Sequence, residues 1–277
     1  MKITRADAKD LTSMRCGGTI DHLIEVQSPE ELAVLTAGLE SFLVLGGGTN
    51  TIFSDEPTIF PVLKLGQSFH RIKREGEQIF AGAGASLAAV LAFSREQGLS
   101  GIEFLAGIPG TLGGALWMNA GTGGLGIMDV VSTIEVVDAS GVRTLDRTHI
   151  SYTYRHTDLP AAAVVTGVWL KLTEEPVQVI AQRIAANLEH RKNQPKGASS
   201  GCIFKNPSGQ SAGKLIDQTG LKGHRIGGAC ISEQHANFII NTGGAATADI
   251  KGLMALIRQT VQARYGIMLE EEVRIIG

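Results

Sequence analysis

Apolar and polar residues along the chain alternate at the two rhythms of mixed α and β structure. IDHLIEV (20–26) reads as a strand, and SPEEL (28–32) opens a helix with Ser28 as N-cap, Pro29 in its first turn and Glu31 closing a capping box. FLVL (42–45) is a short buried strand that runs into GGGTN. QIFAGAGASLAAVLAFSREQG repeats the order strand, glycine turn, helix, with Ser86 as N-cap and Gly98 as the stop. TIEVVDASGVRTL (133–145) and VVTGVWLKL (164–172) alternate as strands. Val177, Ile180, Ile184 and Leu188 form the apolar stripe of a helix predicted over 176–192, with Arg191 at its end. Ile250, Leu253, Ile257 and Val261 do the same for a helix over 248–265 that Gly266 stops. The pattern predicts an α+β protein: two glycine-rich αβ lobes, then a third lobe that holds Cys202.

Composition sharpens this picture at one point. Of 277 residues 35 are glycine, roughly double the ~7% of average usage, and they cluster at 46–48, 82–84, 107–114, 121–126 and 227–228. Clustered glycine marks sharp turns or backbone lying close to a ligand, since there is no Cβ to obstruct it. The net charge of −2 and the absence of long charged runs give no support to a nucleic-acid or membrane-surface role. No apolar run reaches the ~18 residues of a membrane helix, and the amino terminus lacks a signal-peptide core, so a cytoplasmic address is expected. Three scattered cysteines fit a reducing compartment, and without CxxC or HExxH no metal site is expected.

The glycine loops do not follow the usual nucleotide fingerprints. GGGTN (46–50) and GAGASL (82–87) both follow a strand, but Thr51 and Leu87 stand where GxGxxG needs its third glycine. GQSAGKL (209–215) is one residue short of a P-loop and has Leu215 in place of the Mg²⁺-binding Ser or Thr. Taken with GIPGTLGGALWMNAG (107–121), however, the loops offer many backbone N–H groups able to cradle a pyrophosphate. Thr49, Asn50, Thr111 and Asn119 add side-chain donors. The residues alone imply a large phosphate-bearing cofactor and go no further.

Seven stretches carry a resemblance: LTSMRCGG (11–18), VLGGGTN (44–50), GIPGTLGGALWMNAG (107–121), SYTYRHT (151–157), GCIFKNP (201–207), IGGACISEQHANFIIN (226–241) and LEEEVRIIG (269–277). In this order they resemble the bacterial UDP-N-acetylenolpyruvoylglucosamine reductases (UDP-N-acetylmuramate dehydrogenases, MurB), flavoproteins of the vanillyl-alcohol-oxidase type. The chain looks like the shorter subtype, without the tyrosine-bearing insertion. The resemblance implies two FAD-binding lobes, 1–66 and 67–192, and a UDP-sugar domain, 193–277, whose terminal strand carries Glu272 back to the active site. It implies non-covalent FAD held by Gly46, Gly47, Gly48, Thr49, Asn50, Ile108, Pro109, Gly110, Thr111, Gly113, Gly114, Asn119 and Arg191. NADPH is the implied reductant, admitted alternately with the substrate, UDP-N-acetylglucosamine enolpyruvate. Tyr154, Lys205, Asn206, Lys222, His235 and Asn237 match substrate-site positions; a monomer or weak dimer is expected.

The implied reaction turns an enolpyruvyl ether into a lactyl ether, with hydride from flavin N5 to C3 and a proton to C2. Arg155 and Glu272 would stabilise the enediolate-like intermediate: arginine grips a carboxylate in two places and stays charged, whereas glutamate helps only when protonated. Cys202 stands where most relatives have a proton-donating serine; its thiol, with a reference pKa of ~8.5, is the stronger acid. Cys16 and Cys230 read as packing residues, and Glu270 and Glu271 as a solvated face. Two other readings stay open: a different flavin oxidase or dehydrogenase of the same cofactor fold, and a non-catalytic UDP-sugar or flavin-binding module with regulatory output. The intact Arg155, Cys202 and Glu272 favour the reductase.

Overall fold

The computed structural model describes residues 2–160 and 162–277. Among them seven α-helices form: α1 (Ala8–Leu11), α2 (Pro29–Gly38), α3 (Leu87–Glu96), α4 (Leu112–Trp117), α5 (Val177–Arg191), α6 (Ala212–Gln218) and α7 (Thr247–Tyr265). Two compact units result. The first contains 23–47 and 60–192, and the second contains 4–22, 48–59 and 193–277. The expected sugar domain lies wholly in the second unit, while residues 1–66 are shared, with the partition falling inside GGGTN, after Gly47. No helix among the described residues is long and apolar enough to cross a membrane.

The first unit is built on a five-stranded antiparallel sheet in the order 141–146, 131–138, 164–171, 78–82, 72–75. The stretch predicted to alternate over 133–145 is a hairpin in which Asp138 pairs with Gly141. Asp138 closes its turn by accepting the Ser140 N–H at 2.9 Å. A smaller parallel group pairs Leu23–Val26 and Leu43–Val44 with Val62–Leu65. α2 buries Leu32 and Leu35 in one core with Ile24, Leu63, Val137 and Val164. Ser28 caps α2 as predicted, but Glu31 reaches back to Gln27 N–H, one residue before the expected capping-box partner.

α3 and α4 pack with Ile79, Val168 and Leu170 in the main core of this unit. The stripe predicted for α5 is only half used: Ile180 is fully buried, whereas Val177 and Leu188 are exposed. A helix lying on a surface at one end needs a narrower apolar face than its sequence offers.

The second unit has a three-stranded antiparallel sheet, 225–226, 229–231 and 239–241, and a parallel pair joining 51–53 to 274–276. The four predicted residues of α7, Ile250, Leu253, Ile257 and Val261, are fully buried against it. Each such aliphatic side chain contributes about 1.5–3 kcal/mol on burial. Gly266 ends α7 in the left-handed conformation, its N–H donating to Gln262 O at 2.8 Å. The start of α7 is held by Asp55, whose carboxylate accepts from Thr247 N at 2.8 Å and Ala248 N at 3.0 Å.

Candidate active site

In the first unit the two glycine loops have different uses. The amides of GAGAS are spent inside the protein: Gly82 N–H donates to Arg71 O, Ala83 to Thr166 O and Gly84 to Phe69 O. In the other loops three glycine amides differ. Among the described residues the N–H groups of Gly46, Gly47 and Gly110 have no protein acceptor. A Cβ on Gly47 would lie 3.0 Å from Gly110 Cα, so the two backbones meet where neither has a side chain. Thr111 caps α4, its Oγ1 accepting from Gly114 N–H at 3.4 Å. Ile108 packs on the core and Gly113 N–H bonds to Ala83 O, which seats the loop. Arg191 lies along the same loop: a Cβ on Gly107 would sit 3.0 Å from Arg191 Cδ.

Tyr154 and Arg155 form the tip of a hairpin between Tyr152–Thr153 and His156–Thr157. Arg155 adopts φ +58°, a left-handed conformation that such a turn normally gives to glycine or asparagine. Its guanidinium lies 5.1 Å from the Tyr154 ring centre, and Nη1 donates to Gly121 O at 3.0 Å. A bulky residue held there costs about 1–3 kcal/mol and persists where its surroundings over-determine it.

In the second unit the remaining stretches of the resemblance are knitted together. Glu272 N–H donates to Ile203 O at 2.8 Å, and Phe204 bridges Glu271, so the Cys202 and Glu272 backbones run side by side. Asn50 joins them, its Nδ2 donating to Glu272 O at 3.0 Å. Gly48 O accepts from Ser13 N–H, and Ser13 Oγ donates to Ser199 O at 2.6 Å; Gly48 and Thr49 are thereby fixed beside LTSMR and the stretch leading to Cys202. Cys202 is half-buried, while Cys16 and Cys230 are buried, and burial pushes the Cys16 thiol up, as suits packing.

Three further asparagines expected to meet ligands, like Asn50, have side chains bonded to the backbone. Asn206 Oδ1 accepts from Ala212 N–H at the start of α6. Asn237, 2% exposed, bonds both the N–H and the carbonyl of Phe204. Asn119 bonds Met128 N and Thr153 O. Lys205 pairs with Glu270 and Lys222 with Asp217, while Arg258 pairs with Glu271; Glu270 is exposed, as expected of a solvated face, and Glu271 is half-buried. Burial holds the His235 imidazole below its ordinary value, and the Lys222 charge adds to this. His235 Nδ1 accepts the Asn237 N–H at 3.2 Å, which leaves Nε2 as the donor of a neutral ring.

Two groups escaped the sequence reading. Ser200, 3% exposed, has a hydroxyl with no protein partner among the described residues, two positions before Cys202. Glu103, 6% exposed, accepts from Ser100 Oγ at 2.6 Å and Gly101 N at 2.9 Å, and Arg183 of α5 donates to the same Ser100 hydroxyl at 2.8 Å. An acid inside GIEFLAG, directly ahead of GIPG, was its only signal.

Unused backbone donors at crossing glycines, with a cationic helix end beside them, define a phosphate-bearing cofactor site. Residues 20–145 match the family described as "FAD binding domain", and together with the relatives named next this makes the protein an FAD-dependent oxidoreductase. Residues 193–276 match the C-terminal domain of UDP-N-acetylenolpyruvoylglucosamine reductase. The chain is similar to the reductases of that name from Anaeromyxobacter sp. (strain Fw109-5), 42% identical over 96% of this chain and 86% of the relative, and Pelobacter propionicus, 40% identical over 96% and 92%. It is also similar to the crystal structure of the enzyme from Thermus caldophilus, with a TM-score of 0.91, 38% identity and full coverage of both chains. The chain belongs to the UDP-N-acetylenolpyruvoylglucosamine reductase family.

The geometry fits FAD. Both Glu103 oxygens act as acceptors, for Ser100 Oγ and Gly101 N–H, in the segment that leads into the loop beginning at Gly107. Glu103→Leu removes both acceptors and leaves the Gly101 N–H without its partner. The expected result is an FAD dissociation constant raised by roughly tenfold, or 1.4 kcal/mol. Fluorescence titration of the deflavinated protein measures it, and an unchanged constant would assign Glu103 to packing alone.

Proposed function

We propose that this protein reduces UDP-N-acetylglucosamine enolpyruvate to UDP-N-acetylmuramate with NADPH as reductant, a step of peptidoglycan precursor synthesis. The observation that carries the reading is the side-by-side run of 202–204 and 270–272, which joins a half-buried thiol to the carboxyl-bearing stretch just ahead of the strand Arg274–Ile276. In this reading 1–66 and 67–192 serve the cofactor and 193–277 the sugar nucleotide. Gly46 to Asn50, Ile108 to Thr111, Gly113, Gly114 and Arg191 hold the FAD pyrophosphate. Bound FAD, recharged by NADPH, supplies hydride for C3 of the vinyl group.

The protein's own groups manage the charge and the proton. As the double bond is reduced, its electron pair moves toward the substrate carboxylate. Arg155 holds that carboxylate with a planar fork and stays charged throughout, so the developing enediolate meets a fixed cation. Glu272, in its protonated form, donates a hydrogen bond to the same oxygens. Cys202 then gives its S–H proton to C2, the electron pair collapses onto that bond, and the thiolate regains a proton from solvent. Lys205 and Lys222 answer the diphosphate charge, neutral His235 donates a hydrogen bond, and Tyr154 lies against the sugar nucleotide.

The test is spectral. Under anaerobic conditions NADPH is expected to bleach the yellow protein, and the enolpyruvyl sugar to restore the colour with one equivalent of lactyl ether formed. A flavin that only oxygen can reoxidise would identify an oxidase of the same fold, and one that NADPH never bleaches would identify a binding module.

A further inference from the structure

We propose that Asn119 is a positioning residue that holds Arg155 in its working conformation. This rests on the reading of Arg155 as the carboxylate-binding group. Asn119 is 7% exposed and itself left-handed, with φ +44°, a conformation asparagine tolerates better than most residues. Its Nδ2 donates to Thr153 O at 3.0 Å, the last carbonyl before the Tyr154–Arg155 tip, and its Oδ1 accepts from Met128 N at 3.1 Å. The space around the amide is reserved: a Cβ on Gly126 would lie 2.3 Å from Asn119 Oδ1.

Two more bonds join the same partners. Thr157 Oγ1, on the far strand of the hairpin, donates to Leu116 O at 2.6 Å, and Arg155 Nη1 donates to Gly121 O at 3.0 Å. The end of α4 and the residues after it therefore grip both strands and the tip of the hairpin. Backbone strain at Arg155 survives only under such a grip. Without the Asn119 amide the near strand loses a side-chain anchor to this segment, and the tip relaxes toward an ordinary turn. The guanidinium then leaves its place. Asn119 acts through Arg155, and its amide needs no contact with cofactor or substrate.

The experiment compares Asn119→Asp, Asn119→Gly and Thr157→Val holoenzymes by stopped-flow absorbance of the flavin. Aspartate keeps the shape and the Met128 bond but sets an oxygen against Thr153 O; glycine keeps the left-handed backbone without the amide. Both are expected to slow reoxidation by the enolpyruvyl sugar by about 10- to 100-fold, as misplacement of a catalytic group by about 1 Å does. Thr157→Val should show the same pattern more weakly. Reduction by NADPH and the FAD dissociation constant should stay within about twofold. Combining Asn119→Gly with Arg155→Lys should cost less than the product of the single effects, because both act on one group. Wild-type reoxidation in the Asn119 variants overturns the proposal, as does equal loss of both half-reactions with loss of FAD, which would make Asn119 a cofactor ligand. Wild-type reoxidation in Arg155→Lys alone overturns the reading of Arg155 and the proposal with it.

Discussion

Cys202→Ala is expected to leave reduction of the flavin by NADPH unchanged and to slow sugar turnover by about 10²–10⁴-fold, the usual loss for a general acid. Cys202→Ser should retain most activity, since a hydroxyl can donate the same proton. The structure gives the comparison a clean background: Cys202 is half-buried, and the other two cysteines are buried away from solvent. Single-turnover rates in H2O and D2O sharpen the test, because a proton in flight to C2 makes the wild-type step slower in D2O. If alanine turns over as fast as serine, Cys202 is a packing residue and the proton comes from elsewhere.

The second large effect is expected at Arg155, and the backbone makes glycine the informative replacement. At φ +58° glycine adopts the native turn more readily than arginine by about 1–2 kcal/mol. That gain roughly offsets the lost bond to Gly121 O and the lost stacking on Tyr154. The melting temperature of Arg155→Gly should therefore stay within about 4 °C of wild type. Reoxidation by the enolpyruvyl sugar should nevertheless fall by about 10²–10³-fold, as when a fixed charge-stabilising donor is removed. Arg155→Lys should fall between, keeping the charge and losing the two-pronged grip. A glycine variant that reoxidises normally would show that the arginine serves the turn.

Local rules made much of this fold legible. The stripe of α7 and its glycine stop are read within twenty residues and hold in full, as do the caps at Ser28 and Ser86. Asp55 as the cap of α7 was not legible, because it arrives from 192 positions away. The chemistry divides along the same line. Cys202, Arg155 and Glu272 stood out because they lie in GCIFKNP, SYTYRHT and LEEEVRIIG, three of the stretches that carry the resemblance. Asparagine misleads, because its amide suits a ligand and a backbone equally well. At Asn119, Asn206 and Asn237 only the tertiary structure reveals that the backbone is the partner. Glu103 shows the opposite case: the acid is plain in GIEFLAG, but neither its burial nor its bonds to Ser100 and Gly101 can be read there.

The composition of the second unit from three separated segments has a consequence for how the protein is made. Residues 60–192 reach the ribosome exit as one stretch with its sheet complete, and can collapse while synthesis continues. Segments 4–22 and 48–59 emerge early, and their partners in 193–277 follow only after the whole of 60–192. Thr51–Phe53 pairs with Arg274–Ile276 across that interval. Closing a loop of that length carries an entropic cost and sets a late, slow step. Premature release of the nascent chain leaves residues 51–53 without their partner strand, whereas a fragment begun at residue 193 leaves 274–276 without theirs and α7 without its Asp55 cap.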